Sequence, residues 1–191
     1  MCRHPLSRPA AWRGFTLIEL MVTIAVAALL IAIAVPSFKT LTVSNALTTA
    51  ANDMVGALNL ARMEAIKLNA ATQFCGNTTT TNGTDTLGAK CGTSSGAVVM
   101  LQTGATAATS VRDAAMGIQN QVQLASSGVT AIRFGGLGLG YLASTASTTT
   151  APYSGQLVDI CSTQISSGNH RVISIATGSI ITVGTSTGSC P

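Results

Sequence analysis

Side chains able to do chemistry are sparse in this sequence. The first group to weigh is Gly184-Thr185-Ser186-Thr187-Gly188, which has the G-x-S-x-G spacing of a nucleophile elbow. An elbow serine needs a helix directly after it and a histidine further on to take its proton. Here Ser189, Cys190 and Pro191 follow, and His170 precedes the serine. The match reads as a product of Ser/Thr/Gly-rich sequence, and no enzyme is expected. His170 beside Arg171 reads as an exposed residue at the start of a strand and not as a ligand. GGLGLG at 135–140 misses the G-x-G-x-x-G spacing of a phosphate cradle and reads as a turn or bulge, so no cofactor is expected.

Cysteine carries more. Cys2 lies in a basic N-terminal stretch, and Cys75, Cys91, Cys161 and Cys190 lie beyond it. An even set in an exported domain reads as two disulfides, with three connectivities open. Successive separations of 16, 70 and 29 residues supply no C-x-x-C pair for zinc, and no metal site is expected.

The remaining reactive group is Glu19, and its surroundings give it meaning. Residues 1–14, MCRHPLSRPAAWRG, hold Arg3, Arg8 and Arg13 and no acid. From Phe15 to Val35 the sequence is an almost unbroken apolar run, FTLIELMVTIAVAALLIAIAV. At ~1.5 Å per residue this run spans about 30 Å, the hydrocarbon thickness of a bilayer. The arginines before it are expected to stay cytoplasmic and send the rest across. A secretory signal peptide has a shorter apolar region and a small-residue cleavage site on its far side. Here the far side continues as AIAVPSFKTL into more helix. An acid inside a membrane span costs roughly 2.5–3.5 kcal/mol on insertion scales, so Glu19 points to a partner or a function.

Composition and charge fit an exported subunit. The 191 residues are 47% apolar but only 4% aromatic and 8% charged, a mix that suits thin sheets and long polar loops better than a dense enzyme core. The net charge of +4 comes mostly from the first fourteen residues; without them, seven bases face six acids. The basic balance therefore says little about a nucleic-acid partner.

The elements that must carry these residues follow from periodicity. Beyond Leu41 the helical pattern becomes amphipathic, with Leu47, Ala51, Met54, Leu58, Ala61, Ala65 and Leu68 on one stripe. One helix is expected from about Phe15 to Asn69, loosened or kinked at Pro36, which cannot donate to the i−4 carbonyl. Short β-rich runs follow at 71–75, 97–101, 122–125, 131–134, 156–161, 171–176 and 179–183, joined by irregular loops at 76–96, 102–121 and 143–155. This predicts an α+β fold, antiparallel sheets packed over one long N-terminal helix.

GFTLIE at Gly14–Glu19, after a basic leader, resembles the processing motif of type IV pilins and type II secretion pseudopilins. The resemblance implies a pilin fold in four segments: a cytoplasmic leader 1–14 that is removed, a transmembrane half-helix 15–36, an amphipathic half-helix 37–69 and a disulfide-bonded head 70–191. It implies cleavage by a prepilin peptidase between Gly14 and Phe15 and N-methylation of Phe15. Glu19 would then offset the α-amine of a neighbouring subunit, since opposite charges attract strongly in low dielectric and either one alone is penalised. A proline inside the helix, here Pro36, is also a family trait. NDMVGALNLARMEAIKLN at 52–69 narrows the resemblance to the GspH/FimT group through Ala61, Arg62, Glu64, Ala65, Ile66 and Lys67.

In the head, IRFGGLG at 132–138 and HRVISIATGSI near the end resemble the group's middle strand and closing hairpin. Cys161 before that hairpin and Cys190 at the end resemble a clamp, which implies the pairs Cys75–Cys91 and Cys161–Cys190. The implied function is a minor type IV pilin that primes or caps assembly near the tip, or the minor pseudopilin of a type II secretion system. Partners would be major and minor pilin subunits, the peptidase and inner-membrane assembly machinery. The chain would sit in the inner membrane with a periplasmic head, then in the filament. Some FimT-like members bind DNA through a C-terminal GRxR pattern, but the matching positions here are Gly178, Ser179, Ile180 and Ile181. DNA is not the favoured partner.

Overall fold

The computed structural model describes residues 14–114, 121–145 and 151–191. The chain divides into two compact units, one ending at Lys39 and one spanning Thr40–Pro191. The helix α1 (Leu17–Leu68) contributes to both. It begins where the Thr16 hydroxyl accepts the Glu19 N–H at 3.3 Å, a cap that satisfies one orphan donor of the first turn. It is continuous across Pro36 and ends at Asn69, which adopts φ 46°. There the Asn69 N–H reaches the Ile66 carbonyl and the Ala70 N–H reaches the Ala65 carbonyl, the paired closure of a left-handed C-terminal stop.

In the first unit every described residue, Gly14–Lys39, is exposed. A helix that is apolar on all sides and exposed throughout has the surface of a membrane span. By length and composition α1 can cross a membrane. The Thr23 hydroxyl donates to the Leu20 carbonyl at 2.8 Å, so this polar group is satisfied without water.

The second unit packs the rest of α1 under two antiparallel sheets. The first sheet contains β1 (Ala71–Phe74), β2 (Val98–Leu101), β3 (Thr109–Arg112), β5 (Ile132–Phe134) and β6 (Gly140–Leu142), in the order β3-β2-β1-β5-β6. The second contains β4 (Gln123–Val129), β7 (Gly155–Cys161), β8 (His170–Ala176) and β9 (Ile180–Ser186), in the order β4-β7-β8-β9. Two short helices, α2 (Thr79–Asn82) and α3 (Thr86–Cys91), link β1 to β2. The α+β expectation holds.

Val43, Leu47, Ala50, Ala51, Met54, Ala57, Leu58, Ala61 and Ala65 form the buried face of α1. They meet Phe74, Ile132, Phe134, Leu157, Ile160 and Ile173, all buried in the same core. Each such large side chain contributes roughly 1.5–3 kcal/mol of burial. The alanines let the first sheet approach closely enough for the buried Thr72 hydroxyl to donate to the Ala61 carbonyl at 2.7 Å.

Several expectations need correction. Leu68 is 40% exposed and lies off the buried stripe, because α1 is already closing there. The loop expected at 76–96 holds α2 and α3, and that at 102–121 holds β3. Gly140, the last residue of GGLGLG, opens β6, so the turn is confined to the preceding glycines. β4 runs four residues past the expected 125, and β9 three past 183. Ser186 therefore lies in a strand, not on the sharp strand-to-helix turn that a nucleophile elbow requires.

Candidate functional site

Gly14 and Phe15 precede α1, and Phe15 is 79% exposed. Glu19 lies in the first turn of α1, where a negative charge complements the helix dipole. The leader residues 1–13, with Arg3, Arg8, Arg13 and Cys2, lie outside the described residues. What is visible is an accessible peptide junction with a carboxylate four residues beyond it, on a helix of lipid-compatible surface.

The head is held by two covalent clamps. Disulfides join Cys75 to Cys91 and Cys161 to Cys190, with Cα–Cα distances of 5.4 and 5.8 Å. The first sits in a small core with Leu87, Ala97 and Val99. It pins the α2–α3 connection to β1, and a buried Asn82 organises that connection. The Asn82 side chain accepts from the Gly76 N–H at 2.7 Å and donates to the Gly76 and Gly92 carbonyls. Gly88 is required where α3 crosses the preceding turn, since a Cβ there would lie 2.1 Å from the Gly83 carbonyl oxygen. No sequence pattern pointed to Asn82; an asparagine in a Thr-rich run reads as surface.

Arg133 forks onto both Asp85 oxygens at 2.6 and 2.9 Å and also donates to the Gln73 side-chain oxygen. Asp85 caps α3 by accepting the Gly88 N–H at 3.1 Å. Burial works against its charged form. The Arg133 fork, the Gly88 N–H and the Arg133 charge outweigh that effect and hold its carboxyl below the usual aspartate value.

The C-terminal segment crosses the open end of the second sheet. Asn169 binds both backbone groups of Gly188, at 2.9 and 3.1 Å, and the Gly168 N–H donates to the Thr187 hydroxyl. His170, expected to be exposed, is 5% exposed beneath this segment, with Nδ1 2.9 Å from Asp159 Oδ1. Ser186 is its cross-strand neighbour in register. Aspartate, histidine and serine thus come closer than their order in the sequence suggests. However, His170 Nε2 is buried without a hydrogen-bond partner among the described residues, and a Cβ on Gly188 would stand 3.2 Å from it. Among the described residues no hydrogen bond joins Ser186 to the imidazole, the link by which a base activates a nucleophile.

An apolar helix, capped just past the Gly14–Phe15 peptide and continuing into the core of an antiparallel two-sheet head, defines a pilin-like protein. The family described as type II transport protein GspH matches residues 50–179, and the prokaryotic N-terminal methylation motif matches residues 13–35. The first match covers more than half of the chain, and the chain belongs to the type II transport protein GspH family. Proteins of this family are structural subunits that associate with other pilin or pseudopilin subunits, and the methylation motif implies a prepilin peptidase. The apolar helix and the motif are compatible with a membrane anchor and a filament core. No curated protein and no solved structure matches the chain.

Proposed function

We propose that this chain is a low-copy structural subunit of a pilin-like filament. It is cut between Gly14 and Phe15, stored in the inner membrane with its head in the periplasm, and drawn into the filament by α1. The observation that carries the proposal is the methylation motif at residues 13–35, placed directly ahead of a helix whose first 23 residues, Leu17–Lys39, are all exposed. Glu19 is the assembly residue, pairing with the N-terminal amine of a neighbour, and Pro36 lets the helix adjust within the filament.

Sequence reading put a type IV pilus first. The family's description, type II transport, favours the alternative, a minor pseudopilin that primes or caps a secretion filament. The charge arrangement argues against a DNA receptor. Arg112 is paired with Asp53 and Arg133 with Asp85, while Arg171 donates to the Gly168 and His170 carbonyls and the Ser44 hydroxyl. Arg62 donates to the Ser179 carbonyl at 3.0 Å, and Lys67 lies 3.5 Å from Glu64. Among the head's described cations this leaves Lys90, and affinity for phosphates requires several cations to converge.

The test is deletion in the host, followed by complementation. Release of type II substrates into the medium is expected to collapse while sheared surface pili persist. Loss of pili with normal secretion would return the chain to the pilus. No change in either would contradict the proposed function.

A further inference from the structure

The second sheet ends in an edge strand unlike the other three. β3 has four residues, a register shift opposite Val98/Val99, and an arginine, Arg112, paired with Asp53. β6 has three residues, and its Gly140 is bonded to Gly178 and Tyr153. β4 loses register between Leu124 and Val129. Short length, bulges and charge are the devices that stop an edge from pairing. β9 has none of them.

β9 is seven residues long, IITVGTS, with no charge and no proline. It stays in unbroken register with β8 from Ile180 to Ser186. The turn that feeds it holds Thr177 and Gly178 at φ 51° and 68°, with the Ser179 N–H returning to the Ala176 carbonyl. Two successive left-handed residues match the twist of a regular hairpin. Among the described residues, no hydrogen bond reaches the backbone of Ile180–Ser186 from outside β8.

Six of its seven residues are exposed, while Ile181 is half-buried against the core. Val183 lies opposite the buried Ile173, on the face that packs against α1, yet is 47% exposed. Ile180 is 58% exposed. From Val183 onward the core-facing surface of the sheet thus runs beyond what the head covers.

We propose that β9 is a strand-addition edge, and that in the filament it takes an extended, uncharged strand from the head of an adjoining subunit. This rests on the filament reading above. Unpaired N–H and C=O groups along a straight edge select an extended backbone over a helix or a small molecule. Contact area selects the neighbour. A seven-residue strand is roughly 23 Å long, so one added strand falls well short of the ~1,600 Å² of a standard stable interface. Two heads meeting freely in dilute solution would separate. Heads tethered side by side by their own α1 helices meet at an effective concentration on the order of millimolar, where so small a contact suffices.

The test uses the full-length chain in its host, with a photo-cross-linking side chain in place of Thr182, and the variants Val183→Lys and Val183→Thr. In isolated filaments, position 182 is expected to cross-link to a strand in another subunit's head. Val183→Lys puts a charge on the inner face of the edge and is expected to abolish the cross-link. It should leave the Phe15 start, membrane level and both disulfides unchanged, because Val183 is half exposed. Val183→Thr is expected to retain it. A cross-link that survives Val183→Lys, or one that maps to a non-strand segment or a non-pilin protein, overturns the strand-addition edge and leaves the filament reading standing. Absence of the unsubstituted chain from filaments, despite correct processing, overturns both.

Discussion

Replacing Glu19 with alanine is expected to lower incorporation of this chain into filaments by about tenfold or more, while membrane insertion is unchanged or improved. The two effects have opposite signs because they arise in different environments. In lipid an isolated carboxylate is a penalty, so its removal helps insertion. In the assembled filament the same carboxylate would face the positive N-terminus of a neighbour, and removing one member of a desolvated pair leaves the other uncompensated. Glu19 is well placed for this role, since it sits exposed in the first turn of α1. Quantitative immunoblots of membrane and filament fractions read both effects. Wild-type incorporation of Glu19→Ala would withdraw the charge-pairing role from this subunit.

Removal of the Cys75–Cys91 bridge is expected to destabilise the head by about 3 kcal/mol, the chain-entropy value for a loop of this length. For a unit of this size, that lowers the melting temperature by roughly 6–12 °C. The variant is the double replacement Cys75→Ala with Cys91→Ala. Cys75 and Cys91 are 0% and 1% exposed, so the lost packing adds to the lost constraint. Thermal melts of purified full-length protein in detergent, beside non-reducing peptide maps, measure the effect. A loss below about 1 kcal/mol would mean that the Asn82 hydrogen bonds hold the α2–α3 connection without the bridge.

How much of this was legible in the sequence depends on where the stabilising contacts lie. α1 was readable because its pattern is long and local: an apolar run, then a stripe from Leu47 to Ala65 that the structure buries. The strands that line the core were readable from runs such as QLVDIC and RVISIA. β3, Thr109–Arg112, was not, because four residues of which Val111 alone is apolar become a strand only by pairing with β2. α2 was not either, since threonine is a poor helix former and TTTN is held by the Thr78 cap and by the bonds of its own Asn82 to Gly76 and Gly92. The burial of His170 was hidden for a similar reason: Asp159 and Gly188, far apart in sequence, together cover it. Arg112 stands beside Asp113 in the sequence, but its partner is Asp53, 59 residues away on α1.

The methylation motif, matched over residues 13–35, was legible because such motifs are read as sequence. The strand-addition edge was not: SIITV reads like any other strand, and only the topology leaves it outermost with an unpaired side.

The central claim, that this is a processed filament subunit, is tested most directly by the intact mass and N-terminal peptide of the chain recovered from host membranes and filaments. The predicted result is a polypeptide beginning at N-methylated Phe15, with two disulfides, in both fractions. A chain in filaments that still carries Arg13-Gly14, or one cut after Ala34 on the far side of the apolar run, would contradict it.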